Sequence, residues 1–212
     1  MIIRKPFTTT IDRENHYTSL LHFEGGAVKK YYMRGSIAWP EGSNEGFALM
    51  AGYDLADDVI IIFEEFQFWT VSHWLNEDDT VRKREDGGYH LGLIQFIMDN
   101  KSRYKCCSYF WGGQHVDIWR RYGTEVYRHK MLPKDIELIE VPYVKEVGDS
   151  LILEKLKVRK FRGQADSKLN VAVKRFFNMQ NVNIDRGSEI QALRALLAGF
   201  ENQPWVDLKG VA

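Results

Sequence analysis

Residues 50 to 58, Met-Ala-Gly-Tyr-Asp-Leu-Ala-Asp-Asp, run an apolar strand into three carboxylates, Asp54, Asp57 and Asp58. A strand end holds an acidic side chain on rigid backbone, which is what a divalent metal site needs. Hydrolysis of a phosphodiester by Mg²⁺ or Mn²⁺ uses two cations held roughly 3.5–4 Å apart by hard oxygen ligands, to activate water and to stabilise the leaving oxygen. Asp57-Asp58 also has the composition of a plain hairpin turn. Glu64 and Glu65 follow in the next apolar run as reserve acids, and alternation along a strand should send one of them to the sheet face that Asp54 leaves.

The opposite charge is concentrated elsewhere. Between residues 54 and 86 there are 10 acidic and 3 basic side chains, whereas between 154 and 175 there are 2 acidic and 8 basic. Two such stretches either have opposite tasks or face each other. Lys157, Arg159, Lys160, Arg162, Lys174 and Arg175 are interleaved with aliphatic and aromatic residues. That pattern suits a strand and helix holding a phosphate backbone with one face and packing with the other, and it equally suits the solvated face of an ordinary strand and helix.

Other chemistry-bearing residues carry less. The six histidines are scattered without metal-ligand spacing, and Trp69, Trp74, Trp111 and Trp119 sit in apolar elements that favour core packing over base stacking. Gly112-Gly113 before a helix is equally a tight turn or a phosphate contact. No Gly-x-x-x-x-Gly-Lys-Ser/Thr loop occurs, so no nucleotide-driven motor is expected in this chain, and no Gly-x-Ser-x-Gly elbow is present. Cys106 and Cys107 are adjacent, which suits neither a disulfide nor zinc.

The elements that must position these residues are read from hydrophobic period. Residues 16–23, 27–37, 47–53 and 59–71 are rich in Val, Ile, Tyr, Phe and Trp, with Glu24-Gly25-Gly26, Gly42-Ser43-Asn44 and Asp57-Asp58 as breaks, and predict antiparallel hairpins. Residues 76–88 read as a solvated loop. Tyr89, Leu93, Phe96 and Ile97 recur at helical spacing, a strand-like run follows at 104–111, and His115, Ile118, Trp119 and Tyr122 predict a short helix. Residues 125–128 suggest another strand, and 136–144 or 151–158 could supply more. Asp166 or Ser167 caps a helix with Leu169, Ala172, Val173 and Phe176 on one face, Val182 to Ile184 is extended, and a last helix from Ser188 buries Ile190, Leu193, Leu197 and Phe200.

These elements call for an α/β fold with Met50–Asp54 antiparallel to the next strand and the strand at 105–110 parallel to it. With 212 residues, 44% hydrophobic and 27% charged, the chain has the material for one core rather than a disordered profile. Net charge is zero, so any charged partner must be met by a local patch. The longest purely apolar run, Val59 to Phe63, is too short to span a bilayer, and the opening MIIRKPFTTT lacks the apolar stretch of a secretion signal. No membrane association and a cytoplasmic location are expected.

The order of parts resembles the ribonuclease H-like nuclease domain of phage terminase large subunits. The resemblance is carried by the GYDLA strand, a neighbouring strand running into FEEFQF, a helix, a strand ending in Gly112-Gly113, a short helix ending at Tyr122-Gly123 and a further strand. The tail matches too: Lys168 opens a helix, a short strand and another helix follow, and Asp207 lies just beyond. The resemblance covers roughly residues 47–208 and implies a ribonuclease H-like mixed sheet flanked by helices, with residues 1–46 as an N-terminal β-hairpin extension.

It further implies a metal-dependent DNA endonuclease of phage packaging, with Asp54 as the first-strand aspartate, Asp207 as the acid after the last helix, and Mg²⁺ or Mn²⁺ held by Asp54, Asp57 and Asp207. The family's middle ligand is missing from the strand ending at Trp111. The nearest acid, Asp117, lies in the following short helix. The alternative is a non-catalytic component, nucleic-acid-binding or structural, of a phage or mobile-element assembly, with DNA and other assembly proteins as partners.

Overall fold

The computed structural model describes residues 7–14, 18–39, 45–68, 92–105, 109–112, 137–141, 145–158, 160–178 and 187–202. Among the described residues eight strands form one sheet: β1 (Phe7–Ile11), β2 (Thr18–Phe23), β3 (Val28–Ala38), β4 (Gly46–Asp54), β5 (Val59–Phe68), β6 (Tyr109–Gly112), β7 (Glu137–Glu140) and β8 (Phe161–Arg162). The described helices are α1 (Gly92–Tyr104), α2 (Lys145–Lys157), α3 (Lys168–Asn178) and α4 (Ser188–Asn202).

Strands β1 to β5 pair antiparallel in chain order, and β8 adds parallel to β5 at the edge. The turn between β2 and β3 needs two left-handed residues, and Gly25 and Gly26 supply them at φ 98° and 85°. Strand β4 is buried on both faces, which is why it reads as a continuous apolar run instead of an alternating one.

The parallel strand expected beside Met50–Asp54 lies elsewhere. β6 runs parallel to β3, with Gly35 opposite Phe110 and Ser36 opposite Trp111, and β7 runs parallel to β6. The reason is simple: β4 has an antiparallel partner on each edge, so no further strand can add to it, and β6 takes the part of the β3 edge that β2 leaves open. Since β4 takes one edge of β3, β2 and β6 share the other, β2 along Val28 to Tyr32 and β6 at Gly35 and Ser36. Three antiparallel strands, β3 to β5, continued past the first by two parallel strands and covered by helices on both faces, make a ribonuclease H-like mixed sheet of the α/β class.

The boundary expected between residues 46 and 47 lies one residue inside β4, which pairs with β3 from Phe47 to Tyr53. β3 is the strand on which both halves of the sheet meet. Residues 151–158, read as extended, are helical through Lys157, because Ile152 is buried and Leu156 half-buried four positions on, against the layer formed by α4. An apolar stretch of that length does not distinguish strand from helix by composition.

Two cores result. One face packs Tyr31, Met33, Trp39, Met50, Phe63 and Phe68 against Leu93, Phe96, Ile97 and Tyr104 of α1. The other packs Tyr32, Phe47, Leu49, Ile60 and Ile62 beneath α4, which is itself covered by α2 and α3. Full burial of a side chain such as Leu193 or Leu196 contributes about 2 kcal/mol. Ser36, fully buried on β3, donates to the Ala192 carbonyl at 2.8 Å and fixes α4 across the sheet. No described helix is long and apolar enough to cross a membrane.

Candidate functional site

Asp54 stands at the end of β4, almost fully buried, and its oxygens are occupied by the turn it begins. The backbone N–H groups of Ala56 and Asp57 donate to Oδ1 at 3.1 and 3.3 Å, and Lys29 on β3 lies 3.5 Å from Oδ2. An Asp that accepts from backbone two and three residues ahead closes its own turn. Asp58 completes that turn in the left-handed region, at φ 51°.

The acidic and basic stretches face each other here. Lys29 also pairs with Asp57 at 3.2 Å, Lys155 of α2 pairs with Asp58 at 3.2 Å, and Lys160 donates to the Asp57 carbonyl. The hydrogen bond to Asp57 and the charge of Asp54 hold the Lys29 ammonium above its usual range. Tyr53 donates to Asp58 at 2.8 Å, and burial, reinforced by that bond, pushes its phenol well above its usual range. A cavity of about 200 Å³ opens beside this cluster, with Ile60, Leu151, Leu197 and Phe200 in its walls and Lys155 and Tyr53, both engaged with Asp58, among its polar lining.

Burial alone would raise the Asp58 carboxyl, but hydrogen bonds from Tyr53 and Lys155 and the charges of Lys155 and Lys160 outweigh it and hold the group low. Asp12, at the β1–β2 corner, behaves alike: burial is outweighed by Lys30, 2.6 Å away, and by hydrogen bonds from the Glu14 N–H and the Thr18 hydroxyl. A carboxyl held low contributes stability above its unfolded value of about 3.9, and the contribution is lost as pH falls through the lower folded value. Thermal melts between pH 5 and pH 2.5 should therefore show the native chain losing Tm more steeply than Asp12→Asn or Asp58→Asn. Equal slopes would remove these two carboxylates from the acid sensitivity.

The remaining acids on β5 are committed as well. Glu64 pairs with Arg103 and accepts from the Tyr104 hydroxyl at 3.2 Å, so it lies on the α1 face. Glu65 lies on the opposite face and accepts the N–H groups of Lys168 and Leu169 at 2.8 and 3.2 Å, capping α3 alongside the Ser167 hydroxyl. A carboxylate at that position offsets the positive end of the helix dipole.

Among the described residues no group of three or more His, Cys, Asp or Glu side chains is placed to hold a metal. At Asp54 two backbone N–H groups take Oδ1, and a cation approaching Oδ2 would have to displace Lys29. β3, the strand to which β6 runs parallel, carries no carboxylate between Val28 and Ala38, and presents Arg34 and Ser36, both buried, where the central strand meets β6. Asp117 and Asp207 lie outside the described residues, as do Arg159, Trp69, Trp74, Trp119, residues 76–88, 125–128 and 182–184, and every histidine except His22.

Of the basic residues, Lys157, Arg162, Lys174 and Arg175 are exposed, and among the described residues none forms an ion pair. Lys160 is half-buried and spent on the acidic turn. β8 forms the edge beside β5, and α3 starts at Glu65 on that same strand, so this basic stretch borders one side of the sheet. Lys29 and Lys155 were not singled out by the sequence. For Lys155 the signal was the charge segregation, which leaves open which lysines close on which acids, and Lys29 lies outside both segregated stretches.

No family model matches the chain, and no curated protein matches it. Among solved structures it is similar to the large-terminase nuclease domain of bacteriophage SPP1 with bound Mn, at 10% identity and TM-score 0.49, over 80% of this chain and 85% of that one. It is also similar to the large terminase nuclease of thermophilic phage G20c, at 12% identity and TM-score 0.46 over 92% and 94%. A third is the human cytomegalovirus terminase nuclease domain, Mn soaked and inhibitor bound, at 8% identity and TM-score 0.45 over 83% and 85%. None of these likenesses assigns a role to a residue of this chain.

Proposed function

We propose that this ribonuclease H-like domain binds nucleic acid without cutting it, as a component of a phage or mobile-element assembly. One observation carries the reading: the Asp54 carboxylate, the acid best placed by sequence for metal, accepts two N–H groups of its own turn on Oδ1 and faces Lys29 on Oδ2. The exposed cations Lys157, Arg162, Lys174 and Arg175 supply the binding surface.

A specific feature favours a second reading, hydrolysis completed by Asp207 with Asp117 or Asp57. α4 ends beside Tyr53, where Phe200 packs on its ring at 5.5 Å, so the chain leaves that helix at the Asp54 end of the sheet. Plasmid nicking with Mn²⁺ separates the two. The native chain, folded by circular dichroism, is expected to retain DNA and leave it intact, and Asp54→Asn to behave alike. Cleavage by the native chain that Asp54→Asn or Asp207→Asn abolishes would establish the second reading and overturn the first.

A further inference from the structure

We propose that the outward face of α3 is a platform for an unpaired strand of nucleic acid, with phosphates meeting Lys174 and Arg175 and a base stacking on Phe177. The inference rests on the binding role proposed above and narrows its ligand. The inner stripe of α3 is Leu169, Val173 and Phe176, at i, i+4 and i+7, all buried. Outside it stand Val171, Lys174, Arg175 and Phe177, and Phe177 and Val171 are 46% and 42% exposed.

The needs of the helix itself do not account for this face. Its first N–H groups are already satisfied by Glu65 and Ser167, and one cation in the last turn, Arg175, suffices for the dipole. Lys174 lies one turn from Phe177, and Arg175 one turn from Val171, so each cation has an apolar neighbour on the helix surface. A duplex offers such a face phosphates alone, because its bases are stacked inside. An unpaired strand offers phosphates and open base faces together, which is the pairing of cation and aromatic that single-strand binders use.

Fluorescence anisotropy with a labelled mixed-sequence DNA oligonucleotide, alone and annealed to its complement, tests this. The native chain should bind the single strand more tightly than the duplex. Phe177→Ala should weaken single-strand binding by about 10-fold with the duplex unchanged, the loss expected for one stacked base, while Phe177→Tyr retains it. Lys174→Glu with Arg175→Glu should weaken both. Equal affinity for the two DNAs, or an inert Phe177→Ala, would overturn the platform and leave the binding role standing. No binding of either DNA would overturn both.

Discussion

Replacing Lys157, Arg162, Lys174 and Arg175 together by glutamate should abolish retention of DNA while leaving the melting temperature close to native, because all four are exposed and none pairs with a described residue. If each neutralises one phosphate, log K of the native chain for duplex DNA should fall against log[salt] with a slope of about −3.6, which amounts to a loss of about 150-fold between 50 and 200 mM salt. Restoring the cations one at a time should return the slope in steps of about 0.9. Lys160 is left in place because its ammonium belongs to the acidic turn, and reversing it would disturb the hairpin as well as the surface. Mobility shifts across a salt series would check this. Retention that survives all four reversals would show that another surface holds the DNA.

The second large effect is on stability. Arg194 of α4 is 97% buried by its side chain's 3% exposure, and its Nε donates at 2.7 Å to Oδ1 of Asp149 on α2, with Nη2 reaching the same oxygen. Asp149→Ala removes that counter-charge from a buried guanidinium, and should lower the free energy of unfolding by about 2 kcal/mol. Urea denaturation would show a lower midpoint at an unchanged slope. Replacing both residues by apolar ones, Asp149→Leu with Arg194→Met, should recover most of the loss, since a buried ion pair recovers little more than its own desolvation. A single substitution costing under about 1 kcal/mol would mean that Arg194 is solvated or otherwise compensated there.

How far the sequence reaches is clearest in particular elements. The hairpin from Gly46 to Phe68 and the buried stripes of α3 and α4 are legible because each is a local period ended by a turn or cap. β1 escapes notice: Phe7-Thr-Thr-Thr-Ile is an edge strand with mostly exposed side chains, so it carries little apolar signal. The partner of β6 is equally hidden, because nothing local to residues 109–112 says whether β3 or β4 has an edge to spare. Asp54 is correctly read as a strand-end acid, but whether its oxygens face a cation or its own backbone depends on the turn geometry and on Lys29, which is 25 residues away in sequence. Charge segregation announces that acids and bases are separated along the chain. Only the sheet shows that Lys155 and Lys160 return to Asp57 and Asp58.

The edge of β3 that β2 and β6 divide between them also governs how the chain can be shortened. A polypeptide begun at residue 47 would lose the strand on which the antiparallel and parallel halves meet, and β4 and β6 would each lose a partner. One begun at residue 28 keeps β3 but strips β2 from Val28 to Tyr32, leaving a row of open backbone donors and acceptors ahead of the short β6 contact. Such a row is a template for a strand from another molecule. The first two strands thus exchange that edge for the short, Thr-rich edge of β1, and shortened forms lacking them should be sought among aggregates and strand-exchanged dimers before they are judged unable to fold.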